Sequence, residues 1–205
     1  MTRRHLVMLV EEPSMEAFLR SLLARKLPAD CDFEIHPFQG KADLLDKLPA
    51  RLRGYSSWLP KDWRIIVVVD RDDEDCKPLK NRLEAIAKAA GLQTRTQARN
   101  RPWQVVNRIA IEELEAWYFG NWPAVRRAYP RVSANIPSQA SHRDPDAIRG
   151  GTWEAFERVL NRFGYYKAGM PKIEVARAIA AELDVAENRS PSFSAFLSAL
   201  NEAAQ

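Results

Sequence analysis

Arg64-Ile65-Ile66-Val67-Val68-Val69-Asp70-Arg71-Asp72-Asp73 is the stretch that decides the fold. Its five consecutive β-branched residues, Ile65 to Val69, offer no polar side to water. Such a run predicts a strand buried on both faces, as in a parallel sheet covered by helices. The run stops abruptly at Asp70.

Working outward, His5–Val10 is apolar and ends at Glu11-Glu12-Pro13. A helix is expected next, with Ser14 as its N-cap. Met15, Phe18, Leu19, Leu22 and Leu23 recur in it at helical spacing, and Pro28 closes it. Asp32–Phe38 alternates apolar and polar residues and predicts a second strand. After Gly40 comes a shorter helix carrying Leu44, Leu45, Leu48 and Leu52, with Pro49 expected to bend it. Downstream of the central strand, Pro78–Ala90 predicts a third helix and Val105–Ile111 a further strand ending at Glu112-Glu113. This alternation is that of an α/β domain with a mostly parallel, Rossmann-like sheet.

Past Gly120 the pattern changes. Pro123, Pro130, Pro137 and Pro145 interrupt a loop-rich stretch, and Thr152–Phe163, Lys172–Leu183 and Ser192–Ala204 read as amphipathic helices. The expected organisation is an α/β core over residues 1–120 and a C-terminal α-helical extension over 121–205, packed on that core.

The 205 residues are 46% hydrophobic and 28% charged, which suits a packed core and argues against disorder. No apolar run approaches the ~18–20 residues of a membrane-spanning helix. Met1-Thr2-Arg3-Arg4 leads into an apolar run too short for a secretory signal, so a mature cytoplasmic start is expected. Two cysteines, Cys31 and Cys76, without a CxxC, exclude disulfide scaffolds and zinc fingers. The net charge of +4 is unevenly spread: Gly91 to Ile111 holds Arg95, Arg99, Arg101 and Arg108 and no acid. The acids cluster at Glu11-Glu12, at Asp70 to Asp75 and at Glu112-Glu113-Glu115.

Each acid cluster alone reads as a cap or a solvated turn. Together they lie at the C-terminal ends of three strands, the edge where open α/β sheets place their ligands. Residues i and i+2 leaving a strand face one way, so Asp70 and Asp72 are expected to reach one cation together. A helix beginning near Glu112 would put Glu112 and Glu115 on one face. Only oxygen donors are gathered, which favours Mg²⁺ or Mn²⁺ over zinc.

A glutamate ending the first strand and a D-x-D ending a later hydrophobic strand resemble the Toprim domain of primases, topoisomerases and the nucleases of the overcoming-lysogenisation-defect class. Glu11 matches the Toprim glutamate, and Asp70 and Asp72 match its aspartate pair. Glu12 and Pro13 stand where Toprim sequences usually carry glycine. More narrowly, Val10–Glu16, Ile109–Gly120 with its Glu-Ala-Trp core, and Gly164–Phe196 resemble a Toprim-like domain-of-unknown-function family, number four-two-seven-six. A more distant similarity runs to Toprim proteins of phage-defence systems that accompany an ABC-type ATPase. The chain has no room for a topoisomerase gate and no cysteines for a primase zinc module. The resemblance therefore implies a metal-dependent endonuclease, with Glu11, Asp70 and Asp72 as catalytic and metal-binding residues and Glu115 or Glu112 as a further ligand. Lys167, Lys172, Arg189 and Arg101 are expected to hold the nucleic-acid backbone, DNA or RNA, and Trp103 to stack on a base. The alternative is a non-catalytic module that binds an ABC-type ATPase partner or nucleic acid.

Overall fold

The computed structural model describes residues 4–99 and 101–205. The reading of residues 1–3 as part of a mature start lies outside them. Four strands, β1 (Arg4–Val10), β2 (Cys31–Pro37), β3 (Trp63–Asp70) and β4 (Val105–Ala110), form one parallel sheet in the order β2-β1-β3-β4. The helices in chain order are α1 (Pro13–Lys26), α2 (Lys41–Ser56), α3 (Cys76–Ala89), α4 (Arg95–Ala98), α5 (Leu114–Gly120), α6 (Trp122–Ala128), α7 (Thr152–Arg162), α8 (Lys172–Glu182) and α9 (Pro191–Ala203). The protein is α/β, as the β-branched run requires.

The two-residue period of the strands splits the core in two. Val7, Leu9, Ile65, Val67 and Val69 pack against α2 and α3 on one face. Leu6, Met8, Ile66 and Val68 face the other way, into a larger core shared with Phe18 and Leu22 of α1, Trp117 of α5 and Phe193, Phe196 and Leu200 of α9. On that side α8 lies on α1, and α9 lies on β3 and β4. Among the described residues, no helix is long and apolar enough to cross a membrane.

Three local expectations need correction. Helix α1 starts at Pro13 with Glu12, not Ser14, in the N-cap position, because proline is pre-set for the first helical residue. Helix α3 starts at Cys76, two residues early, since the Asp75 carboxylate accepts a 2.9 Å hydrogen bond from the Lys77 N–H. Helix α5 starts at Leu114 and excludes Glu112, whose φ of 61° lies in the left-handed region.

Candidate functional site

The sheet register brings the first two acids together. Val10 pairs with Val68 across β1 and β3, so Glu11 leaves β1 beside the end of β3. There the Asp70 N–H donates to Glu11 Oε2 at 2.9 Å, a buried hydrogen bond. Glu115, in the first turn of α5, is also buried, leaving Glu11 8%, Asp70 5% and Glu115 2% exposed. Three carboxylates at so little exposure are rare, because each charge must leave water.

Their proton affinities record that cost. Burial is the main cause that pushes Glu11 up to about 7, opposed by the Asp70 N–H. Burial likewise pushes Glu115 up to about 8, with Lys172 opposing. Asp70 is held well above the usual carboxylate range by burial, then by repulsion from Glu11 and Glu115. Its Oδ1 is buried and, among the described residues, without a hydrogen-bond partner. Tyr118, one turn after Glu115 on α5, is buried too, and its hydroxyl also lacks a partner. Glu115 and Asp70 both raise its pKa, although burial acts first.

The rim is organised by cations. Lys41, at the start of α2, sits 2.8 Å from Asp72 Oδ2 and 3.1 Å from Glu74 Oε1, and donates to the Arg71 carbonyl at 2.9 Å. Asp72 does not join Glu11 and Asp70 in a metal-sized group, contrary to the i, i+2 expectation. The strand ends at Asp70, and Asp72 has φ 50°, so the alternation of the pleat no longer governs its direction. Its N–H instead donates to the Glu112 carbonyl at 2.8 Å, continuing the β3–β4 pairing into the loops. Glu112 forms an ion pair with Arg71. Glu113 caps α7, accepting from Thr152 Oγ1 at 3.0 Å and from the Trp153 N–H at 2.7 Å.

Among the described residues, no three His, Cys, Asp or Glu side chains come close enough together to enclose a metal ion. The donors fit a different arrangement: a hard cation on the Glu11 and Asp70 carboxylates, with water or phosphate oxygens completing its shell. Mg²⁺ is commonly bound this way. The unpartnered Asp70 Oδ1 supports that fit, since leaving a buried carboxylate oxygen unsatisfied is costly.

The expected nucleic-acid residues separate. Lys172 does face the acidic edge: its Nζ is 3.6 Å from Glu12 Oε2 and 4.6 Å from the Trp153 ring centroid. Lys167 is exposed, and Arg189 lines a cavity with Trp122 and Glu187 that contains none of the buried carboxylates. Trp103 cannot stack freely on a base. It is only 6% exposed, its indole N–H donates to Glu202 Oε1 at 2.7 Å, and the Arg64 guanidinium lies 5.6 Å from its ring centroid. Arg101 lies beside it in a second cavity.

The other segments singled out in the sequence act as braces. Trp117 stacks on Phe196 and donates to Ser192 Oγ at 3.0 Å, while Asn188 Nδ2 donates to the Trp117 carbonyl at 2.9 Å. Gly120 lets this brace close, because a Cβ there would stand 2.2 Å from Asn188 Oδ1. Together these contacts seat α5, and with it Glu115 and Tyr118. Sequence reasoning missed Lys41 and Tyr118. A lysine straight after Gly40, in a strand-to-helix turn, and a tyrosine three residues after Glu115 were the available signals.

Fold and site thus define an α/β protein with a cluster of buried carboxylates at the C-terminal edge of a parallel sheet. The chain belongs to the family described as Domain of unknown function (DUF4276), whose model matches residues 10–201. No curated protein and no solved structure matches it.

Proposed function

We propose that this chain is a metal-dependent nuclease that hydrolyses phosphodiester bonds of nucleic acid at the acidic edge. The observation that carries the reading is the buried Glu11–Asp70 pair with an unpartnered Asp70 oxygen, at the edge where such sheets bind ligands. A bound Mg²⁺ or Mn²⁺ would supply Lewis acidity toward the scissile phosphate and lower the pKa of water. Glu11 and Asp70 would hold it. Beside the cation's charge Glu11 would return to its ionised form, in which the carboxylate could accept a proton from the attacking water. Lys172 sets positive charge beside Glu12, where a phosphate would enter. Asp72 is the rim carboxylate, kept in place by Lys41. The resemblance of Glu11 and the Asp70–Asp72 pair to Toprim sequences, and the phage-defence setting it implies, support the same chemistry.

One observation favours a second reading, a non-catalytic module for an ABC-type ATPase partner or for nucleic acid: no three acids gather around one point among the described residues. Two measurements on wild type and Asp70→Asn separate the readings. The first is cleavage of plasmid DNA and structured RNA with Mg²⁺, Mn²⁺ or chelator. The second is the melting temperature with and without metal. The nuclease reading expects metal-dependent cleavage and a metal-induced rise in melting temperature, both lost in Asp70→Asn. A wild type that neither cleaves nor gains stability with metal would reject it in favour of the module.

A further inference from the structure

A second charged site lies along β3 and β4, reaching back to the start of β3. A cavity of about 700 Å³ is walled by Arg64, Arg95, Arg99, Arg101 and Arg108, with Glu202 as its one acid. These residues come from β3, α4, the loop after it, β4 and α9. Arg64 stands six residues, about 20 Å, before Asp70 on β3, while Arg108 pairs with Val68 and brings the wall within two residues of the level of Asp70.

Five guanidiniums around one space repel each other, and the acids that act on them, Glu202, Asp62 near Arg64 and Glu84 near Arg108, are fewer than they are. Glu202 is already engaged: Arg95 Nε lies 2.6 Å from its Oε2, and the Trp103 N–H donates to its Oε1. Among the described residues, Arg64, Arg99, Arg101 and Arg108 form no ion pair. Arg64 donates only to the backbone carbonyls of Lys61 and Trp63, at 2.6 and 2.8 Å. Arg108 Nε is buried with no partner. Burial first, then the neighbouring Arg95, press its pKa down, with Glu202 and Glu84 opposing.

We propose that this cavity binds a small polyphosphate anion, such as the di- or triphosphate of a free nucleotide. The volume falls within the range of small-molecule sites. Arginine's planar fork matches phosphate oxygens two at a time, and four unpaired guanidiniums balance the charge of a triphosphate. The arginines surround one space, with Glu202 at the end of α9 on its rim, which suits a compact anion that several guanidiniums grip at once. It shares no residue with the acidic edge.

The test is calorimetric titration of the full chain with inorganic triphosphate, and with a nucleoside triphosphate, in the presence of chelator. Wild type should bind both, more weakly as salt rises. Arg99 and Arg101 are exposed, so the Arg99→Ala/Arg101→Ala pair should fold normally and lose about tenfold or more in affinity. A control pair of equal charge loss on the exposed surfaces of α2 and α3, Arg53→Ala/Arg82→Ala, should bind as wild type does. Asp70→Asn should also bind normally, which separates this proposal from the nuclease reading. Absent binding by wild type, or equal loss in the control pair, would overturn it. Binding of an oligonucleotide through Arg99 and Arg101 without binding of triphosphate would overturn it too.

Discussion

Replacing Glu11 by glutamine removes one buried charge and keeps the acceptor that the Asp70 N–H needs. The folded protein holds the Glu11 proton more tightly than the unfolded chain, because burial raises its pKa from 4.5 to about 7. A group shifted upward gives its full stabilisation below its unfolded pKa and loses it as pH rises through the folded one. Wild type without metal should therefore match the variant below about pH 4.5, fall progressively behind it as pH rises, and reach its full deficit above about 7. At roughly 1.4 kcal/mol per pH unit, the shift amounts to about 3 kcal/mol once Glu11 is fully ionised. For a chain of this size that is about 6–12 °C in melting temperature. Calorimetric melts of both proteins in chelator, from acid to alkaline pH, read the difference directly. Melting curves that stay parallel across pH, or a variant that loses stability in alkali, would refute the reasoning. Saturating Mg²⁺ should reverse the order at alkaline pH, because metal binding stabilises only the protein that keeps both carboxylates.

Asp70→Asn should leave the fold intact and raise metal-free stability at neutral pH, since it relieves repulsion from Glu11 and Glu115; chemical denaturation in chelator checks this. Lys41→Met should destabilise by about 1 kcal/mol or less, because the Asp72 and Glu74 carboxylates it leaves are exposed and take up water. It should also push the Glu11 pKa further up, which a carboxyl NMR titration would detect. Gly120→Ala should cost about 1–3 kcal/mol by forcing a methyl against Asn188, whose Oδ1 is held by the Ser190 N–H at 2.9 Å. Unchanged urea unfolding would show that the brace on α5 is looser than described.

What the sequence determined by itself was the local backbone. Ile65 to Val69 has no conformation as favourable as a doubly buried strand; Glu11 follows directly on β1 and Asp70 closes β3, each straight after an apolar run. Those two positions, and the edge they share, were therefore legible. Beyond the last strand residue the alternation of the pleat lapses: positive φ at Asp72 and Glu112 redirects both acids, and Lys41 and Arg71 claim them. The burial of Glu115 beside Tyr118 depends on how Asn188 and Ser192 seat α5. Trp103, exposed by its polar neighbours in sequence, is covered because α9 brings Glu202 onto it. The arginine cavity likewise joins Arg64 to the segment from Arg95 to Arg108 across the sheet. Strand and helix follow from neighbours a few residues apart. Burial, pairing and pKa depend on residues far away along the chain, and only the packed structure brings those together.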